Sequence, residues 1–195
     1  MFIKIYTIIV IALFYLIYFG KMFIQSRKGI KTNQFGKYKQ NKKVVYQEIV
    51  LRIITFTIVI VQVISVILNW SLLNTTYRYV GLIIGTLGVI VFFISIVTMR
   101  DSWRAGLTDD KTELITKGIY GFSRNPAFLG FDLVYVGVLL SYFSYFLLIV
   151  SVIAIVSLHL QILAEEKTLP SVFGEDYKQY FLNVRRYFGK KKIGM

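Results

Sequence analysis

The chain has 195 residues, 56% of them hydrophobic and only 17% charged, with 23 Lys and Arg against 10 Asp and Glu, a formal net charge of +13. A soluble domain carries nearer a quarter of its residues as charges, and disorder requires low hydrophobicity, so neither class fits. With no Cys and a single His, disulfide scaffolds, thiolate or histidine metal centres and thiol nucleophiles are excluded, and no metal is expected.

The apolar residues fall in runs long enough to cross a bilayer, and the charges fall between them. The first run, 5–20, lies between Lys4 and Lys21, which can snorkel to the two interfaces. It lacks a small-x-small cleavage site and basic residues follow it, so it is read as a retained span rather than a signal peptide. The second run is 53–73, entered at Arg52, and the third is 79–99. Gly81, Gly85 and Gly88 on the third run form a helix-packing face. The last run, 127–163, has 37 residues; as one helix it would measure about 55 Å against a hydrocarbon core of about 30 Å. Two short spans joined by a turn near 141–144 fit better, and tilting or partial insertion of this hairpin accommodates their length.

The expected fold is therefore all-α and polytopic, with about five membrane helices, a helical hairpin near the C-terminus and a short terminal helix. Segments 25–48, 100–126 and 164–195 hold 19 of the 23 basic residues, and five spans bring all three to one side. The positive-inside rule makes that side the cytoplasm and places the N-terminus outside, in the cell membrane. Basicity thus belongs to loops and membrane lipids, not to nucleic acid. The chain divides into an N-terminal membrane part, 1–99, and a C-terminal part, 100–195, where the chemistry-bearing residues gather.

Soluble-enzyme motifs are missing: no G-x-G-x-x-G, no Walker loop, no G-x-S-x-G and no H-E-x-x-H. Two constellations stand out instead. The first is Gly118-Ile-Tyr-Gly-Phe-Ser-Arg-Asn-Pro-Ala-Phe-Leu-Gly130, where Pro126 suits the first turn of a helix whose free N–H groups would face a carboxylate. The second follows the last span: His159, Glu165-Glu166-x-x-Leu169, Phe173-Gly-x-x-Tyr177-x-x-Tyr180 and Val184-x-Arg186. On one continuous helix His159 and Glu166 share a face, and Glu165 points elsewhere. The hairpin returns both glutamates to the membrane side of Arg124. Asp132 is the one carboxylate within an apolar run, and intramembrane carboxylates are functional candidates.

In this order and spacing, over about residues 100–190, these pieces resemble the isoprenylcysteine carboxyl methyltransferase and phospholipid methyltransferase superfamily. The resemblance implies a membrane-embedded methyltransferase whose cofactor, S-adenosylmethionine, is held by the C-terminal region without a Rossmann domain. Carried over by position, it implies catalytic roles for Arg124 and Glu166. It implies cofactor contacts from Gly118, Tyr120, Arg124, Asn125, Pro126, His159, Glu165, Glu166 and Tyr177. Asn125 stands where many members have His, and Phe128 where many have Tyr. The acceptor is expected to be a lipophilic small molecule or a lipid-anchored group: an isoprenylated peptide, a phospholipid amine, or a small hydrophobic acid or phenol. A non-catalytic membrane protein that keeps the scaffold and binds lipid or a partner is the alternative.

Overall fold

The computed structural model describes residues 1–35, 42–106 and 112–191. They form five α-helices: α1 (Phe2–Arg27), α2 (Lys42–Ile67), α3 (Thr75–Met99), α4 (Pro126–Ser141) and α5 (Tyr145–Asn183). Four are long and apolar enough to cross a membrane; α4, with 16 residues, is shorter. At 1.5 Å per residue it reaches about 24 Å, as the short first half of the hairpin.

Local chemistry sets the helix ends. Beyond α1, Gly29 takes φ +75, and the N–H groups of Gly29 and Ile30 donate to Ser26 O and Gln25 O. Beyond α2, Asn69 takes φ +52, and the N–H groups of Asn69 and Trp70 donate to Val66 O and Ser65 O. Both are left-handed caps that satisfy the last helical carbonyls. Asn74 and Ser144 cap the starts of α3 and α5, accepting from Tyr77 N and Leu147 N at 3.3 and 3.2 Å. The turn between α4 and α5 thus falls at 142–144, where the sequence placed it.

α2 differs from the expected span at both ends. It begins eleven residues before Ile53, at Lys42, because Val44, Glu48 and Leu51 extend its buried face at helical spacing. It stops at Ile67 rather than Leu73 because Asn69 turns the chain.

The tightest seam joins α3 to α4, and it is built from glycine. A Cβ on Gly88 would lie 2.7 Å from Val134 N, and one on Gly130 would lie 2.7 Å from Phe92 Cβ. Gly81 and Gly85 face Gly137 in the same way. The sequence identified the α3 half of this packing face; α4 supplies its complement. Without a hydrophobic drive between helices in lipid, such backbone approach is a main source of association. α2 packs along α5, and Phe14, Phe92, Phe131 and Trp103 fill the core between α1, α3, α4 and the 100–106 segment.

The helices alternate in direction, so segments 28–35, 100–106, 112–125 and 184–191 meet at one end of the bundle. Residues 32–34 pair with Ala105: Gln34 N donates to Ala105 O at 2.8 Å and Ala105 N to Thr32 O at 3.0 Å. Buried Gln25 ties them to α1, donating to Trp103 O at 3.1 Å and accepting from Thr32 Oγ1 at 2.6 Å. α5 has 39 residues, about 58 Å of helix, so only about half can lie in hydrocarbon. It kinks at Gly174 (φ +59), and residues 175–183 beyond the kink are the short terminal helix expected from the sequence.

Candidate active site

The loop before α4 is shaped by its glycines and its proline. Gly118 takes φ +61, where a side chain would be strained and would press on Thr98 Cγ2 at 3.2 Å. A 3₁₀ turn over Gly118–Gly121 then buries Tyr120, whose carbonyl accepts from Tyr180 Oη at 2.7 Å. Burial pushes the Tyr120 phenol above its ordinary pKa, so it stays neutral. Pro126 occupies the first turn of α4, giving up an N–H that would be unpaired there. Arg124 and Asn125 consequently face inward at the N-terminus of α4, and both are buried.

Glu166 meets them from α5. Its Oε1 accepts from Arg124 Nη2 at 2.7 Å, Arg124 Nε at 3.1 Å and Asn125 Nδ2 at 3.0 Å. Its Oε2 accepts from Arg186 Nη2 at 2.8 Å and Nε at 3.0 Å. One carboxylate is thus held between two guanidiniums. The bonds to Glu166 raise the Arg186 pKa further. Arg124 also donates to Val184 O and to Phe181 O, and its guanidinium carbon lies 4.1 Å over the Phe181 ring. The backbone follows suit: Arg124 N donates to Arg185 O, and Gly189 N to Phe122 O. The result is a brace that locks the loop, α5 and the 184–191 segment together.

Glu165 faces a different space. Gln161 Nε2 donates to it at 3.0 Å and to Glu48 Oε1 of α2 at 3.3 Å. Its carboxylate lines a cavity of about 170 Å³ under the loop, together with Tyr120, Arg124, Asn125 and Tyr177. Tyr177 is buried, and its hydroxyl lacks a hydrogen-bond partner among the described residues. Of the expected cofactor residues, these five share one cavity. Gly118 and Pro126 shape its loop without lining it, and Glu166 reaches it only through Arg124 and Asn125. His159 lies apart, its Nδ1 hydrogen-bonded to the Tyr187 hydroxyl and the two rings stacked. Asp132 also lines neither cavity, and its Oδ1 is buried without a described partner.

A second cavity, about 690 Å³, adjoins the first. The two share Trp103, Arg104, Gly106, Ala127 and Phe128 as a common wall. Its lining is mostly apolar and comes largely from α1 and α2, including Tyr15, Tyr18, Ile49 and Phe56. Phe19, Ile49, Ile53 and Phe56 are exposed at its rim, on the surface that the bilayer covers. No sign that α1 and α2 contribute to a site is legible in the sequence. Nothing in the spacing of two ordinary apolar runs marks a cavity between them. Arg186 was present as the end of V-x-R; its partnership with Glu166 required the fold.

A family model described as phospholipid methyltransferase matches residues 76–176, just over half of the chain, and the chain belongs to that family. No curated protein matches it. The matched segment holds α3, the loop with Arg124 and Asn125, the hairpin and the Glu165–Glu166 pair. α1, α2, Tyr177 and Arg186 lie outside it. Membership points to methyl transfer by a membrane-embedded enzyme.

Proposed function

We propose that this chain transfers a methyl group from S-adenosylmethionine to a lipophilic acceptor that enters from the bilayer, with the reaction at the shared wall of the two cavities. The observation that carries the reading is their junction: a small cavity that gathers Arg124, Asn125 and Glu165 opens beside a large, mostly apolar one.

The donor set of the small cavity fits the cofactor's ionic ends. Glu165 suits an ammonium; Arg124 and the N-terminus of α4 suit a carboxylate. The free hydroxyl of buried Tyr177 needs a partner, and the Tyr120 and Tyr177 rings offer aromatic surface for adenine. At about 170 Å³ the small cavity falls below the roughly 300–1,000 Å³ of ligand pockets, so binding draws on space across the shared wall. When bound, the cofactor supplies an electrophilic methyl on a sulfonium.

The chain's own part is positioning and exclusion of water. The Arg124–Glu166–Arg186 brace fixes the loop, and a preorganised site supplies rate by orientation. Trp103, Ala127 and Phe128 keep the junction apolar, which favours reaction of a carboxylate with a sulfonium, since charge is neutralised. Such an acceptor needs no base. An amine or hydroxyl acceptor does, and Glu165 is the candidate to take its proton. The side bearing segments 28–35, 100–106, 112–125 and 184–191 is assigned to the cytoplasm on its basic residues.

Titration of the purified protein with S-adenosylhomocysteine tests the cofactor site. At a hundredfold excess over Kd the stabilisation should be about 2.7 kcal/mol, read as a rise in Tm. Glu165→Gln should weaken binding roughly tenfold or more by leaving the ammonium uncompensated. No shift and no heat at millimolar ligand would favour a scaffold that does not catalyse.

A further inference from the structure

The large cavity has a charge pattern that its apolar lining does not require. Among the described residues its lining includes two charged side chains, Arg52 and Arg104, and no carboxylate. Arg104 is engaged in its own loop, donating to Asp101 O at 2.7 Å and Trp103 O at 3.0 Å. Arg52 is different. It sits on α2 directly before the apolar stretch that starts at Ile53, it is exposed, and its guanidinium has no hydrogen-bond or ion-pair partner among the described residues. It lines the cavity together with Tyr18 of α1, about 15 Å along α2 from Lys42. Ile53, Phe56 and Val59 continue the cavity wall along α2 away from the basic segments. A cavity with mostly apolar walls, apolar side chains exposed at its rim and only positive charge among its described lining residues complements one chemistry: an acyl or prenyl chain ending in an anionic group.

We propose that Arg52 makes this cavity selective for an anionic lipid, so that the acceptor, on the function proposed above, is an amphiphile whose headgroup carries a net negative charge. The selecting residue lies in α2, outside the family-matched segment, so acceptor choice is set by a part of the chain that the family does not describe. An exposed arginine on a membrane helix can also serve only as an interfacial anchor. An anchor would not discriminate between lipids inside the cavity, and this separates the two roles.

The test uses binding rather than turnover. The chain has two tryptophans: Trp103 is buried in the cavity wall, whereas Trp70 is exposed at the opposite end. In a Trp70→Phe background in neutral-detergent micelles, lipids with brominated acyl chains quench Trp103 when a chain enters the cavity. Brominated phosphatidylglycerol should quench at roughly tenfold lower concentration than brominated phosphatidylcholine, the effect of one charge-assisted contact. Arg52→Gln should abolish the preference and Arg52→Lys should keep most of it. Arg27→Gln, which removes a charge off the cavity, should leave it intact. Equal quenching by the two lipids in the parent protein, or an unchanged preference in Arg52→Gln, would overturn the proposal. A protein that shows the preference but transfers no methyl group would refute the proposed activity and leave the anionic-lipid site standing.

Discussion

Glu166→Ala removes the centre of the brace, and its cost can be worked from the geometry. Five N–H donors from three residues converge on the carboxylate at 2.7–3.1 Å. The Glu166 and Arg124 side chains are 6% and 4% exposed; that of Arg186 is 33% exposed. Loss of the carboxylate strands Arg124 in a buried site with only backbone carbonyls and the Phe181 ring for partners. Stranding one member of a buried pair costs about 3–5 kcal/mol. Arg186 can turn to water, so its share is small and is discounted accordingly. Glu166→Gln keeps one acceptor oxygen while losing the charge, and should cost about half as much. Arg186→Gln should cost about 1 kcal/mol. Reversible unfolding in mixed micelles, with dodecyl sulfate as denaturant, measures the series. The expected order is Glu166→Ala, then Glu166→Gln, then Arg186→Gln. A Glu166→Ala protein within 1 kcal/mol of the parent would mean that the brace is solvated and that the reasoning from burial fails.

Four further outcomes are expected. Gly88→Ala must push α3 from α4, because its Cβ meets Val134 N and Gly130 O, both backbone atoms; unfolding should show a loss of about 1–3 kcal/mol. Gly20→Ala, with nothing within 4 Å of its Cβ, should be neutral or stabilising by up to about 1 kcal/mol. Reporter fusions at residues 1 and 195 should report from opposite sides of the membrane, the C-terminal one from the cytoplasm; two reports from one side would refute the five-crossing reading. Arg124→Ala should abolish methyl transfer while the protein still inserts, and near-normal activity would remove Arg124 from the site.

Several features were legible because the chemistry is local. Run length gave the first three spans, and the impossible length of 127–163 gave the hairpin with its turn. Pro126 marked the start of α4, and the glycines at 81, 85 and 88 marked a packing face. The early start of α2 was harder, because 42–52 mixes charge with a buried stripe that only the partner helix α5 reveals. The roles of the two glutamates were not separable from spacing. They are adjacent in sequence and 100° apart on the helix, so the fold alone turns Glu166 to two arginines and Glu165 to the cavity. His159 shares the face of Glu166 but meets Tyr187 from the 184–191 segment, whose return path carries no periodic signal.

The central claim is methyl transfer at the junction of the two cavities. The purified protein in bilayer discs of mixed lipid, given methyl-labelled S-adenosylmethionine, tests it most directly. The expected result is label in an organic-extractable product, absent with heat-killed protein and reduced at least tenfold in Glu165→Gln. Labelling that matches the heat-killed control in every lipid mixture, in a protein that binds S-adenosylhomocysteine, would contradict the claim.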